Sequence, residues 1–406
     1  MNEMDPRGNY YPRYPLGAEK GCPPPRLSLL GAHPGLSCLT RRARSVGRGR
    51  AARRGGLMKT HGIWFFFVVL FLAPGALRAG QDPTVTPVVL DVDPGIDDAL
   101  AILLALSSPE LSVEGITVVA GNVEVDVGLR NARQIVELAG RSDIPVARGA
   151  EAPLVGRLVT SRHVHGENGL GNVELPAPAA LPYPGTATDL IVDKIREHAG
   201  RITLIPVGPL TNIAIALKQH PELVPDIKKI VLMGGSLSGG NITPAAEFNI
   251  YNDPEAAEMV FHSGVPIVMV GLDVTEKTVL GAEHLRSVQR AASPISRLVW
   301  SLTEFHLNER GAQGIMMHDP LAVGVAIDPS FVETRLLHIG VETRGEMTRG
   351  ETVAARKGYS LKFLESHGTR TVAGQEELAP NAKVCVGVDS ERFLDFFVAR
   401  VLGGQH

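Results

Sequence analysis

The sequence has few cysteines and little net charge, and each shortage excludes a class of protein. Two of its three cysteines, Cys22 and Cys38, fall in an N-terminal segment without any core-forming pattern. The third, Cys385, therefore has no partner for an internal disulfide, and no CxxC or Cys/His spacing indicates a zinc site. Its apolar, strand-like surroundings predict a buried small side chain. The formal net charge of -3 gives no electrostatic reason to expect binding to nucleic acid or to an anionic membrane.

The N-terminal segment itself lacks an apolar period. Residues 1–57 are rich in Pro, Gly and Arg, and this composition predicts a disordered basic extension. Residues 58–80 place basic residues before a ten-residue apolar run and small residues after it, which is the order of a secretory signal peptide. The run is too short for a stable membrane span. We therefore expect the protein to be secreted or to enter the endomembrane lumen.

This signal-like pattern begins at Met58, inside the chain. Met58 is therefore our candidate for the physiological start, with residues 1–57 as a gene-model extension. The alternatives are a short signal anchor, or a transit peptide that uses the arginine-rich stretch, and the location would then be cytoplasmic or organellar.

From Pro87 onward, short β-branched runs alternate with helical patterns. The pattern predicts strands at 88–90, 113–119, 202–205, 229–233 and 266–271, and helices at 97–106, 125–139, from 211, and at 253–261. Such alternation is typical of a doubly wound α/β fold, a mostly parallel sheet with helices on both faces. No internal repeat or long linker interrupts residues 81–406, which favours one domain. Ligands of such sheets bind beyond the carboxyl ends of the strands.

An acidic turn follows the first of these strands. Asp91-Val-Asp-Pro-Gly-Ile-Asp-Asp98 places four carboxylates within eight residues, between a strand and a helix. Helix capping accounts for one or two of them, but four would repel one another unless a cation lies among them. Clustered oxygen ligands suit a hard ion, calcium or magnesium. His318-Asp319-Pro320, in a predicted turn before an apolar helix, is a candidate second arm of the site, although an Asp before Pro is also a common helix cap.

The acidic turn resembles the N-terminal signature of the inosine-uridine preferring nucleoside hydrolases. The resemblance extends over about Pro87 to Leu402 and continues in order through Val119-Ala-Gly-Asn122, His163-Val-His-Gly166, Pro206-Val-Gly-Pro-Leu-Thr-Asn212, Val231-Leu-Met-Gly-Gly235, Ala246-Glu-Phe-Asn-Ile250, Asn252-Asp-Pro-Glu255 and His318-Asp-Pro320. It implies a Rossmann-like nucleoside hydrolase fold. It also implies calcium-dependent hydrolysis of the N-glycosidic bond of ribonucleosides, which gives ribose and a free base.

The resemblance also implies a role for individual residues. The calcium ligands would be Asp93, Asp98, Asp319 and the backbone carbonyl of Val207. Asp93 would be the general base for the attacking water, His318 the leaving-group acid, and Asn122 would lie beside the metal and the water. The implied substrate contacts are Asp97, Asn249 and Asp319 at the 2′- and 3′-hydroxyls, Asn241 and Glu247 at the 5′-hydroxyl, Met233 near the sugar, and His165 at the base.

Two features complicate this picture. The segment 306–317 lacks the tyrosines that family members often carry there near the base, so the preferred base is not indicated. Asn241-Ile-Thr243 is a glycosylation sequon, but Pro244 follows it and the site should lie in a pocket, so we expect Asn241 to be unmodified. The expected partner is a small ribonucleoside, and the family resemblance implies a homodimer or homotetramer.

Two alternatives remain open at the level of sequence. A secreted calcium- or nucleoside-binding protein that has lost catalysis would explain the missing tyrosines, although all the carboxylates are retained. A haloacid-dehalogenase-like phosphatase would also place an aspartate after a strand. That class gives Pro94-Gly95, the Asp97-Asp98 pair and His318-Asp-Pro320 no role.

Overall fold

The computed structural model describes residues 85–291, 293–308, 311–355 and 378–403. The basic extension and the signal-like segment lie outside the described residues, so the predicted boundaries at residues 57 and 80 stay predictions. Ala76–His406 forms one compact unit. Within the described part of this unit, no helix combines the length and the apolar character that crossing a membrane requires.

Nine of the strands found in the described residues form one sheet, in the order β10-β9-β11-β6-β5-β4-β1-β2-β3. The strands are β1 (Thr86–Val92), β2 (Leu111–Val118), β3 (Val146–Arg148), β4 (Ile202–Pro206), β5 (Ile227–Met233), β6 (Ile267–Val270), β7 (Val279–Gly281), β8 (Gly314–Met316), β9 (Val332–Val341), β10 (Thr352–Ala355) and β11 (Ala382–Val388). From β3 to β11 all neighbours are parallel, whereas β9 and β10 add an antiparallel edge. The predicted mostly parallel α/β sheet is confirmed. Strands β7 and β8 form a separate antiparallel pair.

The helices cover both faces of this sheet. They are α1 (Ile96–Leu106), α2 (Val125–Leu138), α3 (Arg162–His165), α4 (Ala187–Glu197), α5 (Thr211–Gln219), α6 (Phe248–Asn252), α7 (Pro254–Phe261), α8 (Leu272–Thr275), α9 (Ala282–Arg290), α10 (Pro294–Asn308), α11 (His318–Ile327) and α12 (Ser390–Gly403), with 3₁₀ turns at Pro221–Asp226 and Pro329–Phe331. Each strand and helix predicted from the sequence is present, with its ends displaced by at most two residues.

The central strand β1 shows why two cores form. Val88 and Leu90 pack into a cluster with α1, α2 and α11, whereas Val89 packs into a second cluster with α4, α5 and α7. Successive side chains of a strand point to opposite faces, and a strand buried on both faces has to be apolar throughout. Helix α1 is buried along nearly its whole length, which fits its almost uninterrupted apolar sequence.

Two local predictions need correction, and one is confirmed. His318 and Asp319 lie in the first turn of α11 rather than in a turn before it, because Pro320 is tolerated at the start of a helix, where its missing N–H is not needed. The Gly-flanked segment 163–169 has no apolar period, which predicts a loop, but its first three residues belong to the short helix α3. Cys385 lies in β11 and is fully buried, as predicted.

Candidate active site

The side chains predicted to bind substrate meet at one edge of the sheet. Strands β6, β5, β4, β1 and β2 are consecutive and parallel, so their carboxyl ends lie side by side. A cavity of about 310 Å³ opens there. The predicted residues that line it are Asp97, Asn122, His165, Val207, Met233, Asn241, Glu247, Asn249, His318 and Asp319. Asp93 and Asp98 are buried next to it, at 1% and 0% exposure.

Asp98 organises the acidic turn. Its Oδ2 accepts hydrogen bonds from the backbone N–H of Gly95 at 2.9 Å and from Nδ2 of Asn122 at 3.0 Å, and its Oδ1 accepts the N–H of Asp93 at 3.0 Å. Gly95 precedes the first residue of α1, so Asp98 also caps that helix. The turn is therefore closed on itself, and the carboxylate of Asp98 is fixed at the helix N-terminus.

The carboxylate of Asp93 lies in a cradle of glycines. Its Oδ2 accepts the N–H of Asn122 at 2.7 Å, while its buried Oδ1 has no hydrogen-bond partner among the described residues. A Cβ at Gly121 would lie 2.0 Å from Oδ2, and one at Gly208 would lie 2.6 Å from Oδ1. Only glycine at both positions leaves room for this carboxylate.

Three aspartates could hold a cation together. One carboxylate oxygen from each of Asp97, Asp98 and Asp319 lies within 4.8 Å of the others. Asp97 Oδ1 is buried and, like Asp93 Oδ1, accepts no hydrogen bond within the described structure. Buried carboxylate oxygens without donors are costly unless a cation or a proton compensates them. The donor set consists of oxygen, which suits a hard divalent ion.

Burial and mutual repulsion raise the pKa values of these acids. Burial, with repulsion from Asp97, raises the pKa of Asp98 to about 7. Burial, followed by repulsion from Asp97, Asp98 and Asp93, holds the pKa of Asp319 well above its ordinary value. The pKa of Asp93 is raised mainly by burial and further by Asp98. Because of these raised pKa values, we expect all of these acids to be ionised together only when a positive charge lies among them.

The opposite wall is formed by amide and carboxylate groups of the segment around α6. Nδ2 of Asn249 donates to the carbonyl of Val207 at 2.6 Å and to that of Met233 at 3.2 Å. Glu247 caps α6, since its carboxylate accepts the N–H groups of Gly235, Asn249 and Ile250 at 2.9–3.0 Å. Burial raises the pKa of Glu247 to about 6. Asn241, in contrast, is an exposed residue of the cavity lining.

Histidine side chains form the remaining wall of the cavity. Nδ1 of His165 accepts the N–H of Ile96 at 3.0 Å, so a neutral His165 carries its proton on Nε2. Nδ1 of His318 lies 2.8 Å from Oγ1 of Thr275. Burial lowers the pKa of His318, and the carboxylate of Asp97 opposes that shift. His306 lines the same side of the cavity.

Sequence reasoning did not single out three neighbours of these groups. Oγ of Ser161 donates to Oδ1 of Asn122 at 2.5 Å and so orients its amide toward Asp98. Thr275 follows β6, and attention to every strand end would have found it. His306 and Ser161 carry no signal in the sequence beyond their polarity, because only the fold brings them to the cavity.

Comparison with known proteins assigns the family. The family model described as inosine-uridine preferring nucleoside hydrolase matches residues 88–395. The pyrimidine-specific ribonucleoside hydrolase RihA of Salmonella gallinarum is 43% identical over 320 residues, which cover 78% of this chain and 98% of that protein.

Similar solved structures support the same family assignment. A purine-preferring ribonucleoside hydrolase from Gardnerella vaginalis has a TM-score of 0.70 at 36% identity, covering 78% of this chain and 98% of the other. A plant nucleoside hydrolase, PpNRh1, has a TM-score of 0.70 at 33% identity, covering 78% and 99%. Neither the phosphatase nor the non-catalytic alternative is favoured by these matches. The chain belongs to the inosine-uridine preferring nucleoside hydrolase family and is a ribonucleoside hydrolase.

Proposed function

We propose that this hydrolase cleaves the N-glycosidic bond of ribonucleosides in a calcium-dependent reaction that releases ribose and the free base. The observation that carries the proposal is the set of buried carboxylates at the sheet edge, two of whose oxygens, on Asp93 and Asp97, accept no hydrogen bond from the described residues. Their positions suit both a cation and a substrate that develops positive charge. An oxocarbenium-like ribose is such a substrate, and fixed carboxylates stabilise it.

Asp93, Asp98, Asp319 and the carbonyl of Val207 would hold the calcium ion. When bound, the ion would supply the positive charge that keeps these carboxylates ionised and makes a neighbouring water more acidic. The glycines at residues 121 and 208 are compatible with this assignment, because they leave room for the buried carboxylate of Asp93 where a Cβ would clash with it. Asp97 has the same proximity to Asp98 and Asp319, and we assign it to the ribose instead because the family resemblance implies that role.

Asp93 is the proposed general base. Its Oδ2 is held by the N–H of Asn122, and its Oδ1 is the oxygen that can accept a proton from the attacking water. The side chain of Asn122, oriented by Ser161, would contact the same water.

The ribose would be bound by groups that are already in place. Asp97, Asn249 and Asp319 would contact the 2′- and 3′-hydroxyls, Asn241 and Glu247 the 5′-hydroxyl, and Met233 would lie against the sugar. One oxygen of Glu247 accepts a single backbone N–H, so a lone pair remains for a hydroxyl donor. A 2′-deoxyribonucleoside would leave buried polar groups unpaired and should be rejected.

His318 is the proposed leaving-group acid, and His165 would contact the base beside it. Both imidazoles line the cavity. The curated relatives at 43% identity are named pyrimidine-specific, whereas the solved relative at 36% identity is named purine-preferring. We therefore propose pyrimidine ribonucleosides as the preferred substrates.

Ribose release from a nucleoside panel tests this function. The full chain would be assayed with uridine, cytidine, inosine, guanosine and 2′-deoxyuridine, before and after chelation and with calcium restored. Asp93→Asn should lower kcat at least ~10³-fold, since both water activation and charge stabilisation are affected. Asp143→Asn, at an exposed ion pair with Arg141, is the matched control. Calcium binding without ribose release from any nucleoside would contradict the proposal and favour a binding protein.

We also propose that residues 58–80 direct the protein to secretion or to the endomembrane lumen. The support is the basic, apolar and small-residue order of that segment. N-terminal sequencing of the native protein tests it: a mature chain that begins near Gln81 is expected, and residues 1–57 in the native protein would contradict a start at Met58.

A further inference from the structure

We propose that Thr275 is a positioning residue for the departure of the base: its hydroxyl holds Nδ1 of His318, so that Nε2 is the ring nitrogen presented to the substrate. The inference rests on the proposed role of His318 as leaving-group acid. It adds a residue that contacts neither the substrate nor the metal ligands in that proposal, and that acts through the imidazole alone.

Two hydrogen bonds join the segment that contains Thr275 to the segment that contains His318. Oγ1 of Thr275 lies 2.8 Å from Nδ1 of His318, and the N–H of Met317 donates to the carbonyl of Thr278 at 2.8 Å. Thr275 is fully buried in α8, directly after β6. The start of α8 is itself fixed, since the N–H of Leu272 donates to the carbonyl of Gly235 at 3.0 Å. A hydroxyl on such a rigid element can define the orientation of a ring.

The hydroxyl of Thr275 has a different hydrogen-bond partner from those of comparable threonines. Thr303, within α10, donates to the carbonyl four residues earlier at 2.6 Å, which is the usual bond for a threonine in a helix; Thr278, just after α8, makes a bond of the same kind at 3.1 Å. The hydrogen bond that the structure gives the Thr275 hydroxyl, within the described residues, is the one to His318. A hydroxyl can donate to a bare Nδ1 or accept from a protonated one, so it orients the ring in both protonation states.

The step that depends on this orientation is the cleavage of the glycosidic bond. The C1′–N bond breaks with its electron pair moving to the base, and the base takes the proton from Nε2 of His318. The water oxygen forms the new bond to C1′ and gives its proton to Asp93. His318 keeps its Nδ1 proton in the bond to Thr275, and proton exchange between His318, Asp93 and solvent restores the starting state. Rotation of the ring would bring the wrong edge toward the base.

Substrates that differ in the leaving group separate positioning from folding. Uridine needs a proton on the departing base, whereas 4-nitrophenyl β-D-ribofuranoside releases a stable phenolate without one. We expect Thr275→Val, which keeps the side-chain shape, to lower kcat for uridine ~10- to 100-fold with little change in KM, because misplaced catalytic groups cost about that much. Hydrolysis of the nitrophenyl riboside should change less than about threefold, since acid catalysis is not required.

Three further variants complete the test. Thr275→Ser should restore uridine hydrolysis, and Thr303→Val, at an equally buried helical threonine, should leave both substrates unaffected. An equal loss on both substrates in Thr275→Val, or no loss on either, would overturn the inference. His318→Ala tests the premise: without a selective loss on uridine, the proposed acid role fails and the inference with it. A selective loss in His318→Ala but not in Thr275→Val would overturn the positioning role alone.

Discussion

Binding of calcium to the metal-free protein should release protons, because burial and mutual repulsion favour the protonated forms of the proposed carboxylate ligands. Burial and Asp97 raise the pKa of Asp98 from 3.8 to about 7, and the pKa of Asp319 lies well above its ordinary value for the same kinds of reason. A carboxylate must be ionised to bind a metal. Each ion that enters must therefore displace the protons that these acids hold.

The size of the effect follows from Asp98. A difference of about three pH units corresponds to ~4 kcal/mol at 1.36 kcal/mol per unit, which is an upper value for ionising this group without a cation. Because the folded-state pKa is above the unfolded one, the stability that this group contributes is fully present below about pH 4 and is lost as pH rises through about 7. The metal-free protein should therefore lose stability over this range, and calcium should restore it.

Titration calorimetry in two buffers with different ionisation enthalpies measures the protons released. We expect about one or more protons per calcium ion near pH 6.5, with the share from Asp98 falling as the pH rises above about 7. Asp98→Asn should reduce both the release and the affinity, and Asp143→Asn should change neither. Tight calcium binding near pH 6.5 without proton release would refute the reasoning, because it would mean that these carboxylates are ionised without the metal.

Three further predictions concern single residues around this site. Gly121→Ala places a Cβ 2.0 Å from Oδ2 of Asp93 and should lower calcium affinity and kcat/KM at least ~100-fold, whereas Gly340→Ala, with open space at its Cβ, should be neutral in the same assays. Ser161→Ala removes the hydrogen bond to Asn122 and should lower kcat about tenfold while the melting temperature stays unchanged. The opposite result, a lower melting temperature with unchanged kcat, would argue against an orienting role. Burial raises the pKa of Asp91 to about 7, so wild type should lose folding stability as this acid ionises. In chelator, the free energy of unfolding of Asp91→Asn, measured with denaturant, should therefore rise by ~2–3 kcal/mol relative to wild type between about pH 5 and 8. A difference that does not change with pH would contradict the shift.

The parallel strands β1, β2, β4, β5 and β6 could be predicted from the sequence because each combines a short apolar run with a following amphipathic or buried helix. The antiparallel edge could not. Most side chains of β9 are exposed or half-buried, so it has no continuous apolar run. β10 is a short strand that pairs, among the described residues, with β9 alone. β3, β7 and β8 have three residues each, which is too short for a period to be visible.

The site was predictable where it is local in sequence. The acidic turn is one continuous segment, so Asp93, Asp97 and Asp98 were expected to lie near one another. The fourth carboxylate, that of Asp91, instead accepts hydrogen bonds from Thr117 and Asn212. The bonds of Ser161 to Asn122 and of Thr275 to His318 join residues 39 and 43 positions apart, and nothing in either segment indicates its partner. The sequence also did not show which aspartates could bind one cation together. That depends on the directions of the Asp97 and Asp98 side chains, which the first turn of α1 determines.

The two ends of the cavity differ in a way that bears on specificity. The end of the cavity proposed to bind the sugar consists mainly of buried acids and amides, held by backbone and side-chain hydrogen bonds and by glycine contacts, so changes at these buried groups are expected to abolish activity. The end proposed to bind the base lacks the expected tyrosines and presents His306, Ile315 and Met316 instead; Ile315 is buried, whereas Met316 is 45% exposed. Apolar side chains constrain a base by contact area rather than by fixed hydrogen bonds, and such contacts discriminate only modestly between substrates. Relatives with the same fold are named for opposite base preferences, which is the outcome expected if specificity resides at this more exposed end.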